Sequence, residues 1–224
     1  MGSNIFSVSY FWEILPKVAG KLNVTLYLTV IATICALLLG TVLAIIAYYR
    51  IPVLYQLSRF YIAVMRGTPA MPQLFFFYYG LALVSTTITN MSATTAVAVI
   101  ISLNMAAFMS ESIRAALMSV DVGQREAASS LGMNGLQTVV RIILPQAVRV
   151  ALPPLFNDVI NIIKLTSLAF MVGVKDIMGV GKAEAALSLR YFETYAAIML
   201  VYFVVITIFS FFSKRLERVC NAAF

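Results

Sequence analysis

Long runs of apolar residues without a single charge dominate the chain. A membrane-spanning helix needs about 20 apolar residues. Leu22–Tyr49 contains no charged residue and is the first predicted span. Residues 67–110 are also uncharged, and the polar cluster at residues 85–90 divides them into a second and a third span.

The second half of the chain alternates polar stretches with two further apolar runs. Residues 111–149 carry charges and small polar residues, which predicts a large loop with short helices of its own. Residues 152–163 are apolar but short, begin with two prolines, and form the predicted fourth span. After a second loop over residues 164–193, residues 194–213 form the fifth. The pattern therefore predicts an all-α membrane protein with five transmembrane helices.

Composition supports this class of protein and argues against a nucleic-acid partner. Hydrophobic residues make up 62% of the chain and charged residues 11%, whereas a soluble domain has about 25% charged residues. The net charge is +7, but the basic residues lie between apolar runs, where they flank spans. They do not alternate with aromatic residues as in a base-stacking surface. We therefore expect lipid, and no nucleic acid, around the chain.

The distribution of Lys and Arg predicts which side of the membrane each loop occupies, because cytoplasmic loops carry an excess of both. One side carries Arg50, Arg59, Arg66, Arg114, Arg125, Arg141, Arg149, Lys214, Arg215 and Arg218. The other side carries Lys17, Lys21, Lys164, Lys175, Lys182 and Arg190. We therefore expect the long loop and the C-terminus in the cytoplasm and the N-terminus outside.

The two ends of the chain are predicted to flank the transmembrane domain. Residues 1–21 do not form a signal peptide, because the apolar run that follows is too long and no small-residue cleavage site closes it. Their aromatic and aliphatic residues predict an interfacial segment on the bilayer, with an irregular terminus as the alternative. The transmembrane domain then covers residues 22–214, and residues 215–224 form a cytoplasmic tail.

Composition excludes every kind of catalysis that depends on histidine. The chain has no histidine, which removes Ser–His and Cys–His catalysis and the HExxH zinc motif. Cys35 and Cys220 make neither a disulfide framework nor a metal motif. The sequence GVGKA at residues 179–183 is similar to the end of a phosphate-binding loop, but Asp176 replaces its first glycine and Ala183 its Ser/Thr. We therefore expect no catalytic residue, no metal site and no ATP site on this chain.

The long loop contains a predicted helical hairpin at about residues 121–145. Asp121 is a predicted N-cap, and Gln124 stands where a capping box has its second member. Good helix formers follow, and Gly132 ends this first helix.

The second half of the hairpin starts at a predicted turn over residues 134–135, where Asn precedes Gly. A second helix is predicted from about residue 136 to residue 143, ending before Pro145. Such a short hairpin, with small residues on one face, suits a groove on another protein.

The same hairpin carries a specific motif with the spacing EAA-x3-G-x9-I-x-LP. Its residues are Glu126, Ala127, Ala128, Gly132, Ile142, Leu144 and Pro145. The motif resembles the EAA loop in the permease subunits of bacterial ABC importers. The resemblance implies a type I ABC-importer transmembrane domain in the bacterial inner membrane, whose loop forms the coupling helix that docks on the ATPase subunit. In such an interface Glu126 would form a salt bridge or cap a helix. Alternatively, it is a solvent-exposed helix residue without a role in docking.

Further segments resemble the permeases for polar amino acids, and this similarity covers almost the whole chain beyond about Leu22. The segments are RGTP at 66–69, QLF at 73–75, YYGL at 78–81, ESIRAA at 111–116, GQ at 123–124 and KLTSLA at 164–169. YFETY at 191–195 and IPVL at 51–54 resemble cystine-type members. The resemblance implies a carrier of polar amino acids, with cystine-like substrates ahead of cationic ones.

Polar residues inside the predicted spans mark a candidate substrate path. A charge at membrane depth costs about 2.5–3.5 kcal/mol and needs a partner or a function. Asp158 and Asn161 share a helix face, and we expect Asp158 to meet a substrate ammonium or guanidinium there. An internal ion pair with Lys164 is the alternative. The candidate path residues are Asp158, Asn161, Lys164, Asn104, Thr166 and Ser167.

Three other polar features have structural alternatives. Asn104 and Ser110 either face the path or join helices by hydrogen bonds. Glu111 and Arg114 are a predicted i,i+3 ion pair at the cytoplasmic end of the third span. Residues 66–69 either break the second span and expose its backbone to a substrate, or only kink it at the proline.

Other functions fit less well. An intramembrane enzyme would need a nucleophile with a base, or a metal site, and the sequence offers neither. An ATP-independent channel or secondary transporter would not need a loop that docks on an ATPase. A structural scaffold would not explain Asp158 or that loop. The resemblance implies instead a permease that pairs with a second copy or a homologue. Two ATPase subunits holding ATP and Mg²⁺ dock beneath it, and an external binding protein or lipoprotein delivers the amino acid. The identity of that amino acid and the choice between homodimer and heterodimer stay open.

Overall fold

The computed structural model describes residues 6–221. Almost all of these residues are helical, and no strand occurs among them, which confirms the all-α prediction. The helices are α1 (Val8–Ala19), α2 (Leu22–Tyr49), α3 (Leu54–Gly67), α4 (Ala70–Phe75), α5 (Thr86–Thr89), α6 (Ala93–Met118), α7 (Val122–Ser130), α8 (Gly135–Thr138), α9 (Leu144–Thr166), α10 (Ile177–Ser188) and α11 (Tyr191–Asn221). The π-helical turns are Phe76–Gly80 and Val139–Ile143, and the 3₁₀ turns are Leu81–Leu83 and Ser167–Val172.

Within the described residues, four helical segments are long and apolar enough to cross a membrane. They are Val8–Tyr49, Ala93–Met118, Gly135–Val172 and Tyr191–Cys220. The first predicted span has the bounds of α2, and the third and fifth lie on α6 and α11. The second predicted span falls on a shorter apolar run, Ala70–Leu83, so the count of five spans stays a prediction.

The chain leaves the helical conformation between α3 and α4. Thr68 has φ −124° and ψ 147°, and Pro69 has φ −66° and ψ 145°, so both residues are extended. Proline disfavours the helical conformation of the residue before it, which explains why α3 ends at Gly67. Of the two alternatives for residues 66–69, the structure therefore has a break and not a kink.

Two predicted boundaries are wrong because helices continue past charged residues and prolines. The predicted loop over residues 111–149 begins too early, since α6 continues to Met118. It also ends too late, since α9 begins at Leu144 and holds two prolines in its interior. The predicted fourth span, residues 152–163, is the middle of this longer helix. Charges end an apolar run without ending the backbone hydrogen bonding, and α9 continues past Pro153 and Pro154 although each of them removes a backbone donor.

The N-terminal segment forms α1, which packs on the protein. Ile14 and Val18 are fully buried and belong to one apolar cluster with Ile177 and Ile198. The sequence left open whether residues 1–21 form an interfacial segment or an irregular terminus. Because residues 8–19 are helical, their described part is not irregular. Residues 1–5 of the predicted interfacial segment lie outside the described residues.

The chain divides into two compact units, and four of the five boundaries between them fall inside the long helices α2, α6, α9 and α11. Unit 1 comprises Met1–Thr33, Pro69–Ser102 and Ile160–Phe209, and unit 2 comprises Ile34–Thr68, Leu103–Val159 and Ser210–Phe224. The predicted cytoplasmic tail begins inside α11, and its residues 222–224 lie outside the described part.

Candidate functional site

The predicted hairpin begins with a capped helix in unit 2. Asp121 is the N-cap of α7, and its Oδ1 accepts a hydrogen bond of 2.6 Å from the N–H of Gly123. The sequence predicts a capping box with Gln124, the third residue of α7. The Asp121 side chain instead accepts its hydrogen bond from Gly123, the second residue of the helix. A capping box forms instead at the start of α8, where Asn134 and Gln137 bond each other at 2.9 and 3.0 Å.

Gly132 ends α7 as predicted. Its φ of 75° lies in the left-handed region that glycine adopts without strain. The N–H of Gly132 donates to the Ser129 carbonyl and that of Met133 to the Ala128 carbonyl, each at 3.0 Å. These two bonds form a Schellman motif, which fixes the direction in which the chain leaves the helix.

The prediction that the second helix ends before Pro145 is wrong. α8 passes through the π-turn Val139–Ile143 directly into α9. The N–H of Leu144 donates to the Val139 carbonyl, five residues back. Pro145 therefore stands in the first turn of α9, after a change in hydrogen-bond register, where a missing N–H is tolerated.

Several large apolar side chains of the hairpin are exposed among polar ones. Val122, Leu131 and Leu136 are 67%, 81% and 75% exposed. Within the EAA triplet, Glu126 and Ala127 are exposed and Ala128 is buried. Apolar side chains exposed together are typical of a protein interaction surface.

The base of the hairpin is held by a contact that the sequence did not predict. The guanidinium of Arg125 lies 5.2 Å from the centre of the Tyr48 ring, at the end of α2. A cation over an aromatic face is an attractive arrangement. The two residues are far apart in sequence, so no local pattern signals this pair.

Asp158 is buried in α9, and Ser112 of α6 is its hydrogen-bond partner. The Ser112 Oγ donates to the Asp158 Oδ2 at 3.2 Å. The positive charge of Arg66 also acts on this carboxylate, and the Arg66 guanidinium lies 5.2 Å from the centre of the Phe108 ring. Ser112 and Arg66 were not among the predicted path residues, although both stand in segments that resemble the amino-acid permeases.

Asn104 joins two helices of unit 2. Its side-chain amide donates to the Met65 carbonyl of α3 at 3.1 Å. One residue away, the Leu103 carbonyl accepts a bond of 2.6 Å from the Tyr61 hydroxyl. Ser110 bonds within its own helix, to the Ala107 carbonyl at 2.8 Å. The joining role is therefore the one that the hydrogen bonds of Asn104 support.

The other four candidate path residues lie in unit 1 and are not equally accessible. Asn161 and Lys164 are exposed on α9, one helical turn apart. Thr166 is buried and its Oγ1 donates to the Ile163 carbonyl at 2.7 Å. The Ser167 Oγ donates to the Lys164 carbonyl at 2.6 Å. Asn161 and Lys164 thus present polar groups to whatever covers this face.

The predicted ion pair between Glu111 and Arg114 is confirmed. The Arg114 Nη2 lies 2.6 Å from the Glu111 Oε2, and its Nε is 3.2 Å from the same oxygen. This pair ties two turns of α6 together.

Residues 179–183 lie inside α10 and form no loop. Asp176 caps this helix, and its Oδ1 accepts a bond of 2.8 Å from the Gly179 N–H. A helical segment of this kind does not wrap around a phosphate as a phosphate-binding loop does.

Comparison with known proteins identifies the family. Residues 36–220 match the family model of the binding-protein-dependent transport system inner membrane component. The chain belongs to this family. Its membership confirms the resemblance to ABC-importer permeases and makes the chain a membrane-spanning component of a transporter, not its catalytic subunit. The family also implies an ATPase partner and a permease partner.

Similar proteins match over almost their whole length. The "Probable amino-acid permease protein YxeN" of Bacillus subtilis is 44% identical over 92% of this chain and 94% of its own. The "Probable amino-acid ABC transporter permease protein PatM" of Vibrio harveyi is 41% identical over 98% of both chains.

Solved structures share the fold. A crystal structure of an amino acid ABC transporter with histidines superposes with a TM-score of 0.85 at 32% identity, covering 97% of this chain and 99% of the other. The MetNI methionine ABC transporter, in an inward-facing conformation, superposes with a TM-score of 0.76 at 17% identity. The second likeness concerns the fold alone.

Proposed function

We propose that the chain is the permease subunit of an ABC importer for polar amino acids, with cystine-like substrates first and cationic amino acids next. The substrate class is supported by the relatives. The L-cystine transport system permease protein TcyL of Bacillus subtilis is 38% identical over 95% of this chain. The arginine permease protein ArtQ of the same organism is 33% identical over 91%. Cystine and arginine both carry ammonium groups that a carboxylate such as Asp158 attracts.

The observation that carries the coupling part of the proposal is the open apolar surface of the residue 121–145 hairpin. Its two turns are fixed by the Schellman motif at Gly132 and the capping box at Asn134. Leu131 and Leu136 nevertheless remain exposed. A rigid element with an uncovered apolar surface suits a groove of the ATPase subunit. Two such subunits, which bind the ATP and Mg²⁺, dock beneath a pair of permeases.

Movement of the hairpin reaches the candidate path through a continuous helix. α8 continues through a π-turn into α9, and α9 carries Asp158. Closure of the ATPase subunits therefore displaces the same helical segment that bears the path residues, which yields alternating access. An external binding protein delivers the amino acid from the opposite side.

Docking is tested by asking whether the ATPase co-purifies with surface variants. Leu136→Asn removes an exposed apolar side chain of the hairpin, and we expect at least about a tenfold loss of bound ATPase, because burying one leucine contributes about 1.5–3 kcal/mol. Leu187→Asn is the matched control, since Leu187 is 83% exposed on α10. Full retention of the ATPase by Leu136→Asn would contradict docking at this surface.

The substrate class is tested separately by uptake into proteoliposomes that contain the complete transporter. We expect uptake of radiolabelled cystine or arginine that requires ATP. ATP-dependent uptake of neither, with the ATPase still bound, would overturn the substrate class and leave the coupling proposal standing.

A further inference from the structure

A cavity of about 620 Å³ lies in unit 2 beside the end of α2 and the end of α6. Tyr48 and Arg50 line it from the end of α2, Arg59 from α3, and Arg125 from α7. Glu111 and Arg114 line it from α6. The docking hairpin, apart from Arg125, does not contribute to this lining.

The cavity carries an excess of positive charge. Four arginines and one glutamate line it, and Glu111 is paired with Arg114. Among the described residues, no carboxylate lies within salt-bridge distance of Arg50, Arg59 or Arg125. Arg59 and Arg125 instead lie 5.8 and 5.2 Å from the centres of tyrosine rings, which leaves their N–H groups available to an anion. Guanidinium groups recognise phosphate in a bidentate manner.

One polar atom of the lining lacks a partner. The hydroxyl oxygen of Tyr48 is buried and has no hydrogen-bond partner among the described residues. An unpartnered buried hydroxyl costs about 1–3 kcal/mol. This oxygen has no accessible surface, so the hydroxyl does not reach an anion in the cavity, and the donors there are the arginine N–H groups.

The level of the cavity indicates where its anion comes from. The candidate spans that contain α2 and α6 end at Tyr49 and Met118, so we expect the cavity at the level where lipid headgroups meet water. Tyrosines are enriched at this level, and Tyr49 is 56% exposed here. Leu54 and Leu57, in the first turn of α3, are 47% and 60% exposed, which offers apolar surface to acyl chains next to the charged lining.

We propose that this cavity binds the phosphate headgroup of an anionic phospholipid. Arg50 and Arg59 hold the phosphate from the α2–α3 side. Because Arg125 lies against Tyr48 at the base of the hairpin, the bound lipid also steadies the point from which the coupling hairpin projects. Basic cavities at the cytoplasmic ends of membrane helices bind anionic headgroups in this way.

The test measures retention of phosphatidylglycerol by the purified transporter, using native mass spectrometry after a titration in detergent. We expect the double variant Arg50→Gln/Arg59→Gln to weaken binding by about fivefold for each arginine. Arg149→Gln is the matched control, because Arg149 is exposed on α9 in the same unit and does not line the cavity. If Arg149→Gln weakens binding as much per arginine, the loss of affinity reflects the net charge of the protein and not this cavity, and the proposal fails.

A second variant keeps the test independent of folding. Tyr48→Phe removes only a hydroxyl that has no intramolecular partner and no surface in the cavity, so it should leave both the fold and the affinity for phosphatidylglycerol unchanged. Unchanged affinity in the double variant, or a loss in Tyr48→Phe as large as that in the double variant, would overturn the proposal. Inorganic phosphate is added in a competition arm. If it displaces the lipid as well as glycerophosphoglycerol does, the occupant is a soluble anion and the lipid assignment fails.

Discussion

Asp158 is a buried carboxylate in a helix that is long and apolar enough to cross a membrane. Its hydrogen bond to Ser112 and the charge of Arg66 offset part of the cost of burying it. A hydroxyl donor is a weaker partner than a bidentate guanidinium. We therefore expect this carboxylate to be able to bind a cationic group of a substrate.

We predict that Asp158→Asn lowers the initial rate of amino-acid uptake by about tenfold or more, because a charged hydrogen bond contributes about 1.5–3 kcal/mol. Uptake is measured in proteoliposomes over a range of substrate concentrations. Ser112→Ala is the control, since it removes the internal partner and keeps the charge, and we expect less than about a threefold change. Unchanged uptake by Asp158→Asn would contradict a role in the path.

Asp176, in the loop before α10, is a second buried carboxyl, and it makes stability depend on pH. Burial raises the pKa of Asp176 from 3.8 to about 6. The folded chain therefore favours the protonated form. The contribution of this group to stability is full below about pH 4 and is lost as the pH rises through about 6.

Asp176→Asn should remove this loss, because the amide stays neutral and still offers an oxygen to the Gly179 N–H. We expect the free energy of unfolding of the variant, measured by thermal unfolding, to vary less between about pH 4 and pH 7 than that of the native chain, by on the order of 3 kcal/mol. Glu217→Gln, at an exposed carboxylate of α11, serves as control. Parallel pH profiles for the native chain and Asp176→Asn would contradict the assignment.

The helices could be predicted to different degrees from the sequence. The bounds of α2 follow from its flanking charges, and the end of α7 follows from Gly132. The continuation of α6 past Glu111 and of α9 through Pro145 could not be predicted, because apolarity stops at these residues while backbone hydrogen bonding continues. The pairing of Ser112 with Asp158, 46 residues apart, depends on how helices pack and leaves no periodic signal.

The turn between α7 and α8 depends on the backbone freedom of Gly132. An alanine at a φ of 75° costs about 1–2 kcal/mol, so Gly132→Ala should speed hydrogen exchange in α7 and reduce ATPase binding. Gly135→Ala is the matched control, because a Cβ there meets no atom within 4 Å and the φ is not left-handed. Equal effects of both substitutions would contradict a special role for this turn.

Close packing of α2 on α6 in unit 2 depends on Gly40. A Cβ on Gly40 would lie 3.0 Å from the Ala106 carbonyl oxygen and 3.2 Å from the Met109 Cβ. Small residues permit such close helix contacts in membranes. Gly40→Ala should therefore destabilise the chain by about 1–3 kcal/mol in thermal unfolding, whereas Gly67→Ala, with no atom within 4 Å, should not. Equal melting temperatures for Gly40→Ala and Gly67→Ala would show that α2 and α6 can move apart to accommodate the methyl group without loss of stability, which would contradict the prediction.

At the scale of the whole molecule, one helical segment links the two parts of the proposed function. It begins in the hairpin with exposed apolar side chains, continues through a π-turn, and carries the buried Asp158 farther along α9. The family and the coupling motif could both be predicted from the sequence, because the motif is local. The substrate could not, because no residue pattern in the sequence distinguishes one polar amino acid from another.

The central claim is that amino-acid transport by this chain is coupled to an ATPase docked on the hairpin. The most direct test is ATP hydrolysis by the transporter reconstituted with its co-purified ATPase and external binding protein, across a panel of amino acids. We predict that cystine or a cationic amino acid stimulates hydrolysis and that Leu136→Asn abolishes the stimulation. Hydrolysis that responds to no amino acid in the panel and is unaffected by Leu136→Asn would contradict the claim.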